Sequence, residues 1–198
     1  MDEFHFVRHG QTADNQRGVR CGGDRDVPLT DFGIAQARRA AERFAVSGAG
    51  CRLVVAGPLQ RTRVTGALFA QALGVPLLER EWLRERKLGH WNGLPIDLTR
   101  PWFAAGDTPP GGESEERFAT RVLDGIADLG GLLAERPLLV GSKGVGRILL
   151  HRLAGQPAME LGNGEVVGFT RNADPADGAG RWACTRQPVQ DDTKPIDA

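Results

Sequence analysis

A chain of 198 residues holds one domain and a short excursion, and leaves too little for two independent cores. Hydrophobic residues at 40% and charged residues at 25% are ordinary globular usage, which excludes a disordered, collagen-like or membrane-embedded chain, and no apolar run approaches the roughly 20 residues of a membrane span. Lys plus Arg (25) balances Asp plus Glu (25), so no bulk field recommends nucleic acid or an anionic membrane as partner, while a local pocket stays free to be basic.

Glu3 to Arg8 is short, aromatic and β-branched and reads as a buried strand that stops at His9-Gly10, which sets Arg8 and His9 at its C-terminal end. Residues 10–29, rich in Gly, Asp, Asn and Arg without a period, read as an exposed loop. Thr30 caps a helix whose apolar face is Phe32, Ile34, Ala35, Ala40, Ala41 and Phe44. Arg52 to Ala56 is a second strand; after the Gly57-Pro58 break comes a helix with Val64, Ala67, Leu68 and Ala72 inward and Gly74 as a left-handed cap. Val75 to Leu78 is a short third strand. Residues 79–112, punctuated by Gly89, Gly93, Pro95, Pro101, Pro109 and Pro110, form an irregular stretch whose part from about 84 to 112 reads as a lid over a site.

Ser114 caps the next helix, with Glu115 and Glu116 at the positive end of its dipole and Phe118, Val122, Ile126, Leu129 and Leu133 along one face. Pro137 to Gly141 is another buried strand, followed by a helix with Val145, Ile148, Leu149 and Leu153 inward and Gly155 at its end. Residues 164–170 and 181–186 form a last strand pair across the polar loop 171–180, and the tail frays from about residue 188. Strands alternating with helices predict an α/β fold, a three-layer αβα sandwich with a mostly parallel sheet flanked by helices, one domain over residues 1–198. Cys21, Cys51 and Cys184 are odd in number and lack CxxC spacing, which suits reduced thiols; with a start that has neither the basic nor the apolar stretch of a signal peptide, they point to the cytoplasm.

In an open α/β sheet the loops at the strand C-termini build the site. Arg8, His9 and Asn15 follow the first strand, Arg61 the second, and Ser142 and Lys143 the strand ending at Gly141. Three cations, a histidine and amide donors suit a dianion such as phosphate, although any single Arg or Lys is more often a solvated surface charge. His5 and His9 lie four apart, but on a strand that separates them by roughly 13 Å, and no third ligand is evident, so no metal is expected. Gly141-Ser-Lys-Gly144 lacks the spacing of a nucleotide-binding loop.

Arg8-His9-Gly10-Gln11-Thr12 with Asn15, then Asp26, Pro28-Leu29-Thr30, Gly33 and Gln36-Ala37, resembles the N-terminal signature of the histidine phosphatase superfamily, the phosphoglycerate mutase-like proteins. The likeness continues through Pro58-Leu59-Gln60-Arg61 with Thr65, Leu83-Arg84-Glu85, Gly89-His90-Trp91-Asn92-Gly93 and Gly112-Glu113-Ser114 with Arg121, and spans residues 4 to about 155. The resemblance implies a cofactor-free phosphohistidine mechanism. His9 would carry the phosphoryl group, Arg8, Arg61 and Asn15 would hold its oxygens, and Glu85 would stand as proton donor, an ion pair with Arg84 or Arg86 being its bland alternative. Arg20, Arg86 and Trp91 are candidates for contacting the rest of the substrate. Where the family carries a second histidine after the late strand, this chain has Lys143, and of its 25 Lys and Arg residues only Lys87, Lys143 and Lys194 are lysine. Lys143 keeps a charge for phosphate but not the fixed geometry of an imidazole.

These residues support a phosphohydrolase acting on a small phosphorylated or anionic metabolite, as a monomer or homodimer with no nucleic-acid or membrane partner. Two alternatives rest on Lys143: a protein that binds phosphate or carboxylate ligands without hydrolysis, and an enzyme of altered chemistry in a biosynthetic step. Mutase activity is disfavoured because Leu88 stands where the mutases carry an aromatic residue and the chain lacks room for their longer insertions.

Overall fold

The computed structural model describes residues 2–47, 49–157, 159–171 and 181–186. The core is one six-stranded sheet built from β1 (Asp2–Arg8), β2 (Val54–Ala56), β3 (Leu77–Glu79), β4 (Leu138–Gly141), β5 (Val166–Arg171) and β6 (Trp182–Arg186), in the order β3-β2-β4-β1-β5-β6. The first four in that order pair parallel, whereas β5 and β6 run antiparallel, so the sheet is mixed with a parallel centre. The polar loop and tail expected at 171–180 and beyond 188 lie, apart from Arg171, outside the described residues.

Alternation along each strand sorts the layers. Val7, Val54, Ala56, Leu138 and Val140 pack with α2 (Asp31–Val46) and α3 (Gln60–Leu73) through Ala40, Ala41, Phe44, Phe69 and Ala70. Phe4, Phe6, Val55, Leu139, Val167 and Phe169 face the other way, onto Phe118, Val122 and Ile126 of α5 (Glu115–Ala127) and Val145 and Ile148 of α6 (Lys143–Ile148). The expected three layers are present. Thr30 and Ser114 cap α2 and α5 by accepting the Gly33 and Arg117 amides, and Gly74 closes α3 at φ 67°.

Four local expectations are corrected. Residues 10–29 contain one helical turn, α1 (Ala13–Gln16), which Thr12 caps by accepting the Asn15 amide. Phe32 is 48% exposed, because the stripe of α2 that faces inward is Gly33, Ala37, Ala40, Ala41 and Phe44. A methyl group at Gly33 would lie 2.1 Å from the Gln11 carbonyl, so glycine is what lets the helix meet the loop after β1. On α3, Ala67 and Ala72 are exposed and Arg61, Thr62, Thr65, Gly66, Phe69 and Ala70 are buried. The stretch 79–112 is not irregular throughout: it holds 3-10 turns at Glu81–Leu83 and Gly89–Trp91 and a helix, α4 (Ile96–Ala104), that accommodates Pro101. After α6 the helix widens into a π-helical turn, Leu149–Leu153.

Candidate active site

The parallel strands end on one side of the sheet, and a cavity of about 540 Å3 opens there, within the ~300–1,000 Å3 of ordinary small-ligand sites. Arg8, His9, Asn15, Arg20, Arg61, Glu85, Arg86 and Lys143 all line it. Trp91 does not. It is buried under the excursion against Trp102 and Phe103, with ring centroids 5.2 and 5.3 Å away, so its contribution is to pack α4.

His9 is positioned by backbone: its amide donates to the Gly141 carbonyl of β4 at 3.0 Å, and its own carbonyl accepts Asn163 Nδ2 at 2.8 Å. Nδ1 lies 2.7 Å from the Gly10 carbonyl, which can only accept, so Nδ1 carries the hydrogen and Nε2 the lone pair. Burial holds the imidazole well below its usual pKa, and the charges of Arg61 and Arg8 push the same way. Both features favour the neutral imidazole with its lone pair on Nε2.

Arg61 is 1% exposed, and its two terminal nitrogens donate to the carbonyls of Arg25 and Gly22 at 2.9 and 3.2 Å. Arg8 donates Nη1 to the Leu161 carbonyl at 2.8 Å, while its buried Nε has no partner. Burial lowers the Arg8 pKa, and the carboxylates of Glu85 and Glu160 oppose that shift. Neither Arg8 nor Arg61 has a carboxylate within ion-pair distance among the described residues. Asn15 uses Oδ1 to accept from the Thr12 amide and Asn163 Nδ2, which leaves its Nδ2 to donate. Ser142 Oγ is a second buried polar atom without a partner in the same cavity.

Glu85 forms no ion pair with Arg84 or Arg86. Its carboxylate accepts the Arg86 amide at 2.6 Å through Oε1 and the Gly144 amide at 2.8 Å through Oε2. Arg84 instead pairs with Glu81, and Arg86 with Glu115 at 3.0 Å. Lys143 Nζ lies 3.0 Å from Glu160, and both side chains are more than half exposed at the cavity mouth. Glu160, Leu161 and Asn163 went unrecognised in the sequence: β5 is antiparallel, so the residues preceding it, not those following it, arrive at this end of the sheet. Among the described residues no group of three or more His, Cys, Asp or Glu could hold a metal, and no helix is long and apolar enough to cross a membrane.

The family model for the histidine phosphatase superfamily, branch 1, matches residues 4–173. The chain belongs to the histidine phosphatase superfamily. Within that superfamily it is 33% identical over 171 residues to a probable phosphoglycerate mutase, GpmB, of Yersinia pestis, covering 80% of this chain and 77% of the relative. Among solved structures, a mycobacterial glucosyl-3-phosphoglycerate phosphatase in complex with VO3 superposes with a TM-score of 0.80 at 26% identity, covering 96% of this chain and 100% of the other. A putative alpha-ribazole-5'-P phosphatase from Escherichia coli gives 0.76 at 25% identity, covering 94% and 96%. The chemistry of this histidine phosphatase is therefore of the phosphatase type.

Proposed function

We propose that the protein removes phosphate from a small phosphorylated metabolite through a phospho-His9 intermediate. The observation that carries this reading is the His9 tautomer, whose Nε2 lone pair sits in a cavity with two arginines that have no carboxylate partner. His9 Nε2 attacks phosphorus and the ester P–O bond breaks. Arg8, Arg61 and the Asn15 amide hold the equatorial oxygens as charge develops, so no metal has to do that work. Glu85, protonated, gives its proton to the departing alkoxide. As a carboxylate it then takes a proton from the water that cleaves the P–N bond and releases phosphate. Relatives named for phosphoglycerate, glucosyl-3-phosphoglycerate and α-ribazole-5'-phosphate chemistry support an organic phosphate as substrate.

One observation favours a second reading. Lys143, which the resemblance sets where the family carries a second histidine, is engaged with Glu160, an arrangement that would keep an anion site yet supply no second imidazole to the phosphoryl group. On that reading the protein binds phosphate or carboxylate ligands without hydrolysing them.

Metal-free phosphate release from para-nitrophenyl phosphate and a panel of phosphometabolites, for wild type and His9→Ala, separates the two. Turnover lost in His9→Ala, with radiolabelled phosphate trapped on wild-type protein after an alkaline quench, supports the first. No turnover of any substrate, with inorganic phosphate still raising the melting temperature, supports the second and sinks the first.

A further inference from the structure

The turn that leads into β5 meets the end of β1 mainly through its backbone. The Leu161 carbonyl accepts Arg8 Nη1 at 2.8 Å, the Gly164 amide donates to the Arg8 carbonyl at 2.8 Å, and the Glu165 carbonyl accepts the Arg8 amide at 3.3 Å. Gly164 holds φ 73°, a left-handed conformation that glycine adopts without steric cost, and a methyl group there would lie 3.2 Å from Gln36 Cγ on α2. The course of the turn is fixed, and one side chain on it makes contacts of its own. Asn163 Nδ2 donates to the His9 carbonyl at 2.8 Å and reaches Asn15 Oδ1 at 3.2 Å. A carboxamide nitrogen has two hydrogens, enough for both bonds.

Asn163 does not line the cavity, whereas Asn15 does. Asn15 Oδ1 also accepts the Thr12 amide at 3.1 Å, and a backbone N–H can only donate, so Thr12 and Asn163 both demand oxygen at the same end of the Asn15 carboxamide. Its Nδ2 has no partner among the described residues and is left as a donor for the cavity. Which end faces the cavity matters, because the two ends of a carboxamide are alike in size and opposite in sign. Nitrogen joins Arg8 and Arg61 in holding an anion; oxygen would repel it. Without Asn163 the choice would hang on the amide of Thr12 alone, the cap of the single turn α1.

We infer that Asn163 is a positioning residue: anchored on the His9 carbonyl, it fixes the Asn15 carboxamide with nitrogen toward the cavity, so that Asn15 offers the phosphoryl group a donor and not an acceptor. This role rests on the same cavity holding phosphate and deepens that reading. A neutral hydrogen bond alone is worth roughly fivefold in affinity. Turning the carboxamide over costs more than losing it, since a repulsion takes the place of an attraction.

Binding tests it, through a double-mutant cycle. Calorimetric titration with inorganic phosphate, at a pH where phosphate is a dianion, compares wild type, Asn163→Asp, Asn15→Ala and the double variant. Asn163→Asp keeps the shape of the side chain and turns its donor into an acceptor, so the Asn15 carboxamide is driven to give its nitrogen to the new carboxylate and its oxygen to phosphate. The added charge and the lost bond to the His9 carbonyl act in both backgrounds, and their share cancels in the cycle. The loss of affinity caused by Asn163→Asp is expected to be at least about threefold larger in the wild-type background than in Asn15→Ala. A smaller ratio overturns the positioning role. Should a variant not fold, wild type alone decides: the side-chain amide protons of Asn15 must shift in the NMR spectrum as phosphate is added, and resonances that stay put overturn it. Absence of turnover with the coupling intact overturns hydrolysis and leaves the role standing. Turnover that is lost in His9→Ala, with no coupling, does the reverse, and a wild type that binds no phosphate overturns both.

Discussion

The Glu85 carboxylate accepts a hydrogen bond from the Gly144 backbone amide at 2.8 Å, joining the segment after β3 to the turn after β4 across the cavity. A methyl group at residue 144 would lie 2.1 Å from Glu85 Oε1. The carboxylate is the far end of a flexible side chain and can swing away, so the collision costs little stability and displaces the group proposed as proton donor. Gly144→Ala is expected to melt close to wild type and to lose about 10²-fold in kcat on alkyl phosphates, in the range general acids contribute. Aryl phosphates, whose leaving group departs without a proton, should lose less. Equal losses on both classes would remove Glu85 from the acid role.

Lys143 is held by Glu160 at 3.0 Å, and an exposed pair of this kind contributes at most about 1 kcal/mol. Replacing the lysine therefore leaves the fold intact and tests chemistry alone. Lys143→His is expected to raise kcat for phosphate release, because imidazole offers a fixed donor where lysine offers a mobile one. An unchanged or lower rate would show that this position is tuned to lysine.

Burial lowers the pKa values of His5, His9 and His151 in the folded chain. Unfolded histidines titrate near ~6.5, so below that pH the unfolded chain takes up protons that the fold resists, and stability must fall as pH falls. The melting temperature should drop between about pH 7.5 and 5.5, a window in which carboxylates contribute little, and drop less in His9→Asn. A flat or rising profile would contradict the neutral His9 on which the proposed nucleophilic attack depends.

Gly125 on α5 approaches the Trp82 indole so closely that a methyl group would lie 2.1 Å from Cδ2. Alanine would gain ~1 kcal/mol of helix propensity, while overpacking costs ~1–3 kcal/mol. The contact involves ring atoms of a bulky side chain, so the clash prevails, and Gly125→Ala should lower the urea midpoint without altering KM. A raised midpoint would mean the indole moves freely aside.

The sequence located the cavity because Arg8, His9 and Ser142 follow strands whose apolar runs are plain, and Arg61 and Glu85 sit in motifs with fixed surroundings. It misplaced the inward face of α3 because Thr62 and Thr65 look polar in a pattern, yet they bury their hydroxyls by donating to the Gly57, Leu59 and Arg61 carbonyls. It missed α4 because Pro101 reads as a breaker, although the amide it lacks would have reached only the exposed first turn of that helix. Trp91 was drawn into the site by its motif, whereas its size suited it to packing against Trp102. What a pattern cannot supply is direction of travel: Asn163 reaches His9 only because β5 runs backwards.

Strand β1 lies between β4 and β5, with His5 opposite Leu138 on one side and Asp2 opposite Arg171 on the other. During synthesis the segment that carries His9 leaves the ribosome before β4 and β5 and then waits, its amides unpaired, for both flanking strands to be made. A product ending before Leu161 would keep Arg8, His9, Arg61 and Glu85 and still present β1 as an open edge, with Arg8 deprived of the Leu161 carbonyl that steadies it. His9 is made before both strands that flank β1, and its surroundings are complete only after both.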